Sequence, residues 1–372
     1  MNRSYMPMID NGLFVLEYYL DKPYNQITIN DLFDSINYFA EKIGHFIETK
    51  EFYRKVVYST HMNSSFTQIP KGKSKETIIK EQFQELLENI GNDKECIYCS
   101  NKRVNINLNI DRKFMYGLVS QTFYNSSNNL QTVDVCPICA YLSMISILNI
   151  QKIGMPTLYI SDSDDFMRSI TKSNQTILDE QNNLDELFNI PSNLKSTKLI
   201  EIALLDISNI GYITQFCFQN SGQLIGEVER TIYKKDIELL KRLDNKGLLE
   251  EFMSFGLHDR LALGRSLVTD MVYCSSRLLK ELEVFELKEE EKKIIEYAAD
   301  TLIEIEDSNK LLKEIKLCNT QSKFNNFILN YSEKKALVKD VKHYDILTGY
   351  NWAKYRDYIN MHILIQKNKE AV

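Results

Sequence analysis

The chain has 372 residues, 44% of them hydrophobic and 26% charged, with a net charge of −6 from 45 Lys+Arg and 51 Asp+Glu. This composition supplies a sizeable globular core and excludes a disordered chain. The acidic balance speaks against a free-standing nucleic-acid binder, and only 13 Gly and 6 Pro speak against long linkers and a Gly-rich phosphate cradle.

Length allows two domains, or one domain with an inserted module. No run of eighteen apolar residues predicts a membrane helix, and residues 1–10 lack the apolar core of a signal peptide, so the default expectation is a cytoplasmic protein. Residues 11–20 form a short apolar stretch. Thr28 and Asp31 are spaced as a capping box, after which Leu32, Ile36, Phe39, Ile43 and Phe46 recur at helical intervals. Residues 56–73 break that pattern with His61, Asn63, Ser64, Ser65, Thr67, Gln68, Pro70 and Gly72, which predicts a long polar loop. The surrounding stretch, 52–75, carries Arg54, Lys55, Lys71, Lys73 and Lys75 and no acid. Asn and Gln can bind base edges, Ser and Thr can bind bases or phosphate, and Lys and Arg neutralise phosphate, so this loop is a candidate nucleic-acid contact. A solvated loop of ordinary turn residues is the competing reading. A helix is expected over 75–90, with Gly91 at its C-terminal cap.

Residues 94–142 hold a cysteine module. Cys96-x-x-Cys99 is followed by Cys136-x-x-Cys139, and the remaining Cys217, Cys274 and Cys318 stand alone. Four thiolates suit tetrahedral Zn²⁺ and leave no open coordination position, so one structural, non-catalytic zinc is expected on Cys96, Cys99, Cys136 and Cys139. A glutaredoxin-like redox pair at Cys136 and Cys139, an iron–sulfur cluster, and four unrelated buried cysteines are the alternatives. Between the knuckles, residues 104–110 alternate apolar and polar and predict a half-exposed strand. Residues 140–148 predict a buried helix, 157–160 a strand, and 161–170 a helix opening on Asp162, Asp164 and Asp165. The dipole of that helix accounts for the acidic cluster without a metal. Strands are expected over 199–205, 212–218 and 223–232, the last two joined by a turn at 220–223.

From residue 246 onward the apolar spacing predicts only helices. The expected fold class is therefore α+β: a mixed N-terminal domain, 1–245, containing the zinc module, followed by an all-α bundle, 246–372. The last 65 residues hold 12 Lys+Arg against 6 Asp+Glu, which suits either a channel for a single strand or a solvated helix face. Phosphate-loop, nucleophile-elbow and HExxH patterns are absent from the sequence, and its five histidines are dispersed, so catalysis is not expected. His258-Asp259 reads as a surface or capping pair.

The order of these features resembles the large subunit of type I-B CRISPR surveillance complexes (Cascade), in the zinc-finger-bearing branch. The match is carried by Asn11-Gly12-Leu13-Phe14, by Met62-Asn63-Ser64-Ser65-Phe66-Thr67-Gln68, and by the two knuckles. It continues through Ser161-Asp162-Ser163-Asp164 and ends at Phe218-Gln219-Asn220-Ser221-Gly222-Gln223. It covers about the first 245 residues. The resemblance implies a non-catalytic subunit that helps recognise the flanking motif and the duplex around it, touches the crRNA 5′ handle, holds the displaced strand and helps recruit the helicase-nuclease. The implied partners are the Cascade backbone subunits, crRNA and target double-stranded DNA. Asn63 to Gln68 become candidate nucleic-acid contacts, with Asn220 and Gln223 as weaker ones. The helical bundle resembles a small subunit, with Met253 or Met271 as an internal start. A stand-alone zinc-ribbon scaffold and a thiol oxidoreductase are the competing functions.

Overall fold

A computed structural model describes residues 1–61, 64, 66–67, 72–108, 110, 114, 134–180, 184–220, 225–265, 267 and 274–370. It divides into two compact units, Met1–Lys234 and Lys235–Val372. The division falls at the start of a helix, Lys234–Asn245, whose far end is the expected boundary at 245/246.

The first unit opens with α1 (Pro7–Leu20) and α2 (Ile29–Glu48). Thr28 and Asp31 form the capping box that their spacing announces. Leu32, Ile36, Phe39, Ile43 and Phe46 turn one apolar face of α2 inward. The expected loop from residue 56 is instead helical to Thr60, with a π-turn over Tyr53–Val57. Val56 and Val57 are fully buried, so core packing overrides the polar residues that follow. α3 (Lys75–Glu88) comes next, capped by Ser74 and ending at Asn89. Gly91 is therefore not the cap. It is needed because a Cβ there would lie 2.5 Å from the Val104 carbonyl oxygen.

β1 (Lys94–Glu95) and β2 (Lys102–Val104) make a small antiparallel hairpin. The strand expected over 104–110 stops at Val104. The Asp93 carboxylate and the Asn105 side chain accept from the N–H groups of Ile106 and Asn107 and fold the alternating stretch into a turn. α4 (Pro137–Ile145) is the buried helix expected after the second knuckle. A four-stranded antiparallel sheet follows, in the order β3 (Gln151–Ile153), β4 (Met155–Ser161), β5 (Tyr212–Asn220), β6 (Ile225–Tyr233). β5 and β6 pair from Tyr212↔Tyr233 to Asn220↔Ile225. Between β4 and β5 run α5 (Asp164–Glu180) and α6 (Lys195–Ala203). The strand expected over 199–205 is thus a correction: those residues finish α6, which buries Leu199, Ile200, Ile202 and Ala203.

α1 lies against α4, α5 and β4 and is the centre of this unit. Gly12 makes the α1–α4 crossing possible, since a Cβ there would sit 1.8 Å from the Leu142 carbonyl oxygen. Backbone cannot yield as a side-chain tip can. Gly12→Ala is expected to lower stability by about 3 kcal/mol, read as a shifted urea midpoint at unchanged slope. The N-terminal end of α1 is fixed by a buried ion pair, Arg3 to Asp10 at 2.9 Å, with side chains 4% and 0% exposed. Arg3 also reaches Asp164 at 3.1 Å, and the backbone of Ser4 and Tyr5 donates to Asp10. Behind it, Asn11 donates to the Tyr159 carbonyl, and Asn149, Thr171 and Asn174 close a buried polar network.

Among the described residues the second unit has helices and no strand, from Lys234–Asn245 to Trp352–Glu370. Glu289–Ile305 and Trp352–Glu370 pack along each other and bury Ile295, Ala298, Leu302, Tyr358 and Ile359. No helix among the described residues is long and apolar enough to cross a membrane.

Candidate metal centre and the basic segment

The hairpin β1–β2 and the start of α4 bring four sulfurs together. Cys96 follows β1, and the chain turns back through Ser100, which is held at φ 55°. Cys96 N–H donates to the Asn101 carbonyl and Ser100 N–H to the Cys96 carbonyl, closing the first knuckle. The second knuckle uses a helix start. Cys136 is the N-cap of α4, Pro137 fills the first turn where no N–H is needed, and Cys139 lies one turn on. Ile97 N–H donates to the Asp134 carbonyl, and Lys94 pairs with the Asp134 carboxylate at 3.1 Å, which locks one knuckle on the other.

All four Sγ atoms lie within 4.8 Å of one another. Cys96 and Cys139 are 3.8 Å apart and Cys99 and Cys136 3.7 Å. A tetrahedral ion with bonds of about 2.3 Å to sulfur needs sulfur–sulfur edges of about 3.8 Å, whereas a disulfide needs about 2.05 Å. The four cysteines can therefore hold a metal ion. Three are buried, Cys99 being partly exposed. The Cys136 N–H points at the Cys96 sulfur, 3.3 Å away, and the positive end of α4 faces the second pair. Hydrogen bonds from Cys136 first, then Cys139, hold Cys99 far below the ordinary thiol range. A divalent ion would take all four as thiolates.

The cysteines share one core with the basic segment. Cys96, Cys136 and Cys139 pack in the same apolar cluster as Phe52, Val56, Val57 and Phe66. Of the residues expected to contact nucleic acid, Arg54 is exposed on the π-turn. Lys55 pairs with Glu51 and also reaches Asn189. Ser64 is buried and donates to the His61 carbonyl, and Thr67 donates to the Ser64 carbonyl. Phe66 is fully buried against His61 and has no face left for a base. Lys73 pairs with Glu81, and Lys75 donates to the Ile47 carbonyl and lies over the Tyr53 ring. Asn63, Ser65, Gln68, Lys71 and Gln223 lie outside the described residues; Asn220 ends β5.

The acidic cluster is occupied by protein partners. Asp162 accepts from the Gly211 and Tyr212 N–H groups, Asp164 from Arg3 and the Tyr24 hydroxyl, and Asp165 from Arg168. His258 and Asp259 approach only to 4.0 Å. In the second unit several of the C-terminal cations are paired: Lys310 with Glu306, Lys335 with Glu304, Lys342 with Glu290 and Lys354 with Glu291. Sequence reasoning passed over Arg3, because its partners lie up to 161 residues away. No family model, curated protein or solved structure matches the chain.

Proposed function

We propose that this chain is a zinc-bearing, non-catalytic large subunit of a type I-B RNA-guided surveillance complex. The observation that carries the reading is the four-sulfur cluster set in one core with the segment that presents Arg54 and Lys55. Four thiolates of a borderline-soft tetrahedral site favour zinc, and with every position filled the ion holds the fold and activates no water. The resemblance in motif order then supplies the role. Base pairing with crRNA reads the target, while this subunit contributes to flanking-motif recognition, 5′-handle contact, support of the displaced strand and recruitment of the helicase-nuclease. Such an assembly works in the cytoplasm.

Co-expression of the tagged chain with its neighbouring genes tests this. Co-purification of backbone subunits with a short RNA carrying a repeat-derived 5′ end is the expected result. Zinc-loaded protein without RNA, despite those genes, would sink the proposal in favour of a stand-alone zinc-ribbon scaffold. The scaffold reading is favoured by the ion pairs that occupy Lys73 and several C-terminal lysines. The oxidoreductase reading needs a sulfur open to substrate, and Cys136 and Cys139 are 0% and 1% exposed.

A further inference from the structure

Three lysines that are far apart in sequence meet around one short junction of the first unit. Just after β3, at Gly154, the N–H donates to the Ile190 carbonyl at 2.9 Å, and Ile190 N–H returns to the Lys152 carbonyl at 3.1 Å. Lys152 folds its ammonium onto the Gly154 carbonyl. Lys195, at the start of α6, passes the same glycine: a Cβ on Gly154 would lie 3.2 Å from Lys195 Cε. Lys55 comes from the π-turn, which packs on β3, and holds the side chain of Asn189, the residue before Ile190. All three lysines are half-buried.

Their charge is only partly offset. Glu51 pairs with Lys55, and among the described residues no carboxylate is among the groups that act on Lys152. Burial first, and then the charges of Lys195 and Lys55, hold the Lys152 ammonium below the ordinary lysine range. Half-buried like charges repel one another in a medium that screens them poorly, and they persist together where an anion completes the site. Arg54 on the same turn and Tyr58 (54% exposed) just after it flank Lys55 with a further cation and an aromatic face.

We infer that Lys55, Lys152 and Lys195 form a binding site for a phosphate group, supplied either by a polynucleotide backbone or by a small polyphosphate. The site stands apart from the loop around Asn63 and does not depend on the assembly proposed above. Three lysines gathered around one junction suit a multiply charged oxyanion better than a monovalent one.

The test uses the full zinc-loaded chain, with fluorescein-labelled oligothymidylate followed by anisotropy over a salt series and inorganic pyrophosphate followed by calorimetry. The wild type is expected to bind at low salt. Lys55→Gln/Lys152→Gln/Lys195→Gln is expected to weaken binding about tenfold or more and to flatten the log–log salt slope by about 2. The corresponding triple Arg variant keeps the charge and is expected to bind as the wild type does. Lys310→Gln/Lys334→Gln/Lys335→Gln removes equal charge from the second unit and is expected to change little. Lysine-dependent binding of the oligonucleotide assigns the phosphate to a strand; lysine-dependent binding of pyrophosphate alone assigns it to a small ligand. The site is overturned if the wild type binds neither, if the Gln triple binds as well as the wild type, or if both Gln triples weaken binding equally. None of these outcomes bears on co-purified RNA, which decides the assembly separately.

Discussion

Cys136→Ser is expected to reduce bound zinc from one per chain to a small fraction of that, and to lower the stability of the Met1–Lys234 unit by several kcal/mol. Cys136 has three jobs at one position. Its sulfur stands 3.7 Å from that of Cys99, its N–H supports the Cys96 sulfur, and it begins α4, which crosses α1 at Gly12. A hydroxyl is a poor zinc ligand and shortens the reach to the ion. Structural zinc contributes about 10–16 kcal/mol in isolated zinc-finger peptides. The net loss here is smaller, because the core around α1, α2 and α4 buries much apolar surface of its own. It is still a large share of the roughly 5–15 kcal/mol that holds a domain. Elemental analysis and urea unfolding of Cys136→Ser beside Cys318→Ser make the comparison, since Cys318 lies in the second unit outside the cluster. Cobalt substitution adds a spectroscopic readout of tetrahedral thiolate ligation. Full zinc content in Cys136→Ser, or equal midpoints for the two variants, would refute the metal reading.

The knuckles were legible in the sequence because a cysteine pair at fixed spacing carries its chemistry in residue identity, whatever fold surrounds it. The capping box at Thr28 and the hairpin strands β5 and β6 were legible for a related reason: short-range periodicity determined them. Where the sequence misled, two periods fitted the same residues. The run Leu199-Ile200-Glu201-Ile202-Ala203-Leu204-Leu205 satisfies a strand, and its helix is recognisable only from a start at Lys195 that lies outside the apolar window. At 104–110 the alternation was real, but Asp93 and Asn105 offered the backbone a turn instead. In the basic segment, composition gave the charges and hid the burial. Ser64 and Phe66 look like loop residues and are core residues, because His61 and the cysteine core enclose them. The lysine site at Gly154 was invisible to a linear reading, since the β3–Ile190 bridge and the packing of the π-turn on β3 bring Lys55, Lys152 and Lys195 together.

Acid should destabilise the first unit through His61 before most carboxylates are protonated. His61 is fully buried, its Nδ1 lies 2.9 Å from the Thr60 hydroxyl, and its ring rests on Phe66. Burial pushes its pKa from 6.5 down to about 3, with the Ser143 backbone carbonyl opposing modestly. The folded protein therefore holds a neutral ring where the unfolded chain takes up a proton. The stabilising contribution is complete above pH 6.5 and is lost as the pH falls towards 3. The loss is about 1.4 kcal/mol per pH unit in that window, or roughly 5 kcal/mol in all. On the proposed zinc reading, protonation of the thiolates also destabilises in acid, so the wild type alone cannot isolate the ring. His61→Asn can, because an amide keeps a partner for Thr60 and does not titrate. It is expected to be less stable than the wild type at neutral pH, through lost packing on Phe66, and to show a shallower decline between pH 6.5 and 4 in urea unfolding. Thiolate protonation is common to both proteins and cancels in the difference. Parallel declines would mean that the His61 ring is not the group that titrates. A shallower decline would tie the acid limit of this unit to the residue that anchors Ser64 and Phe66, and with them the loop that carries the candidate nucleic-acid contacts.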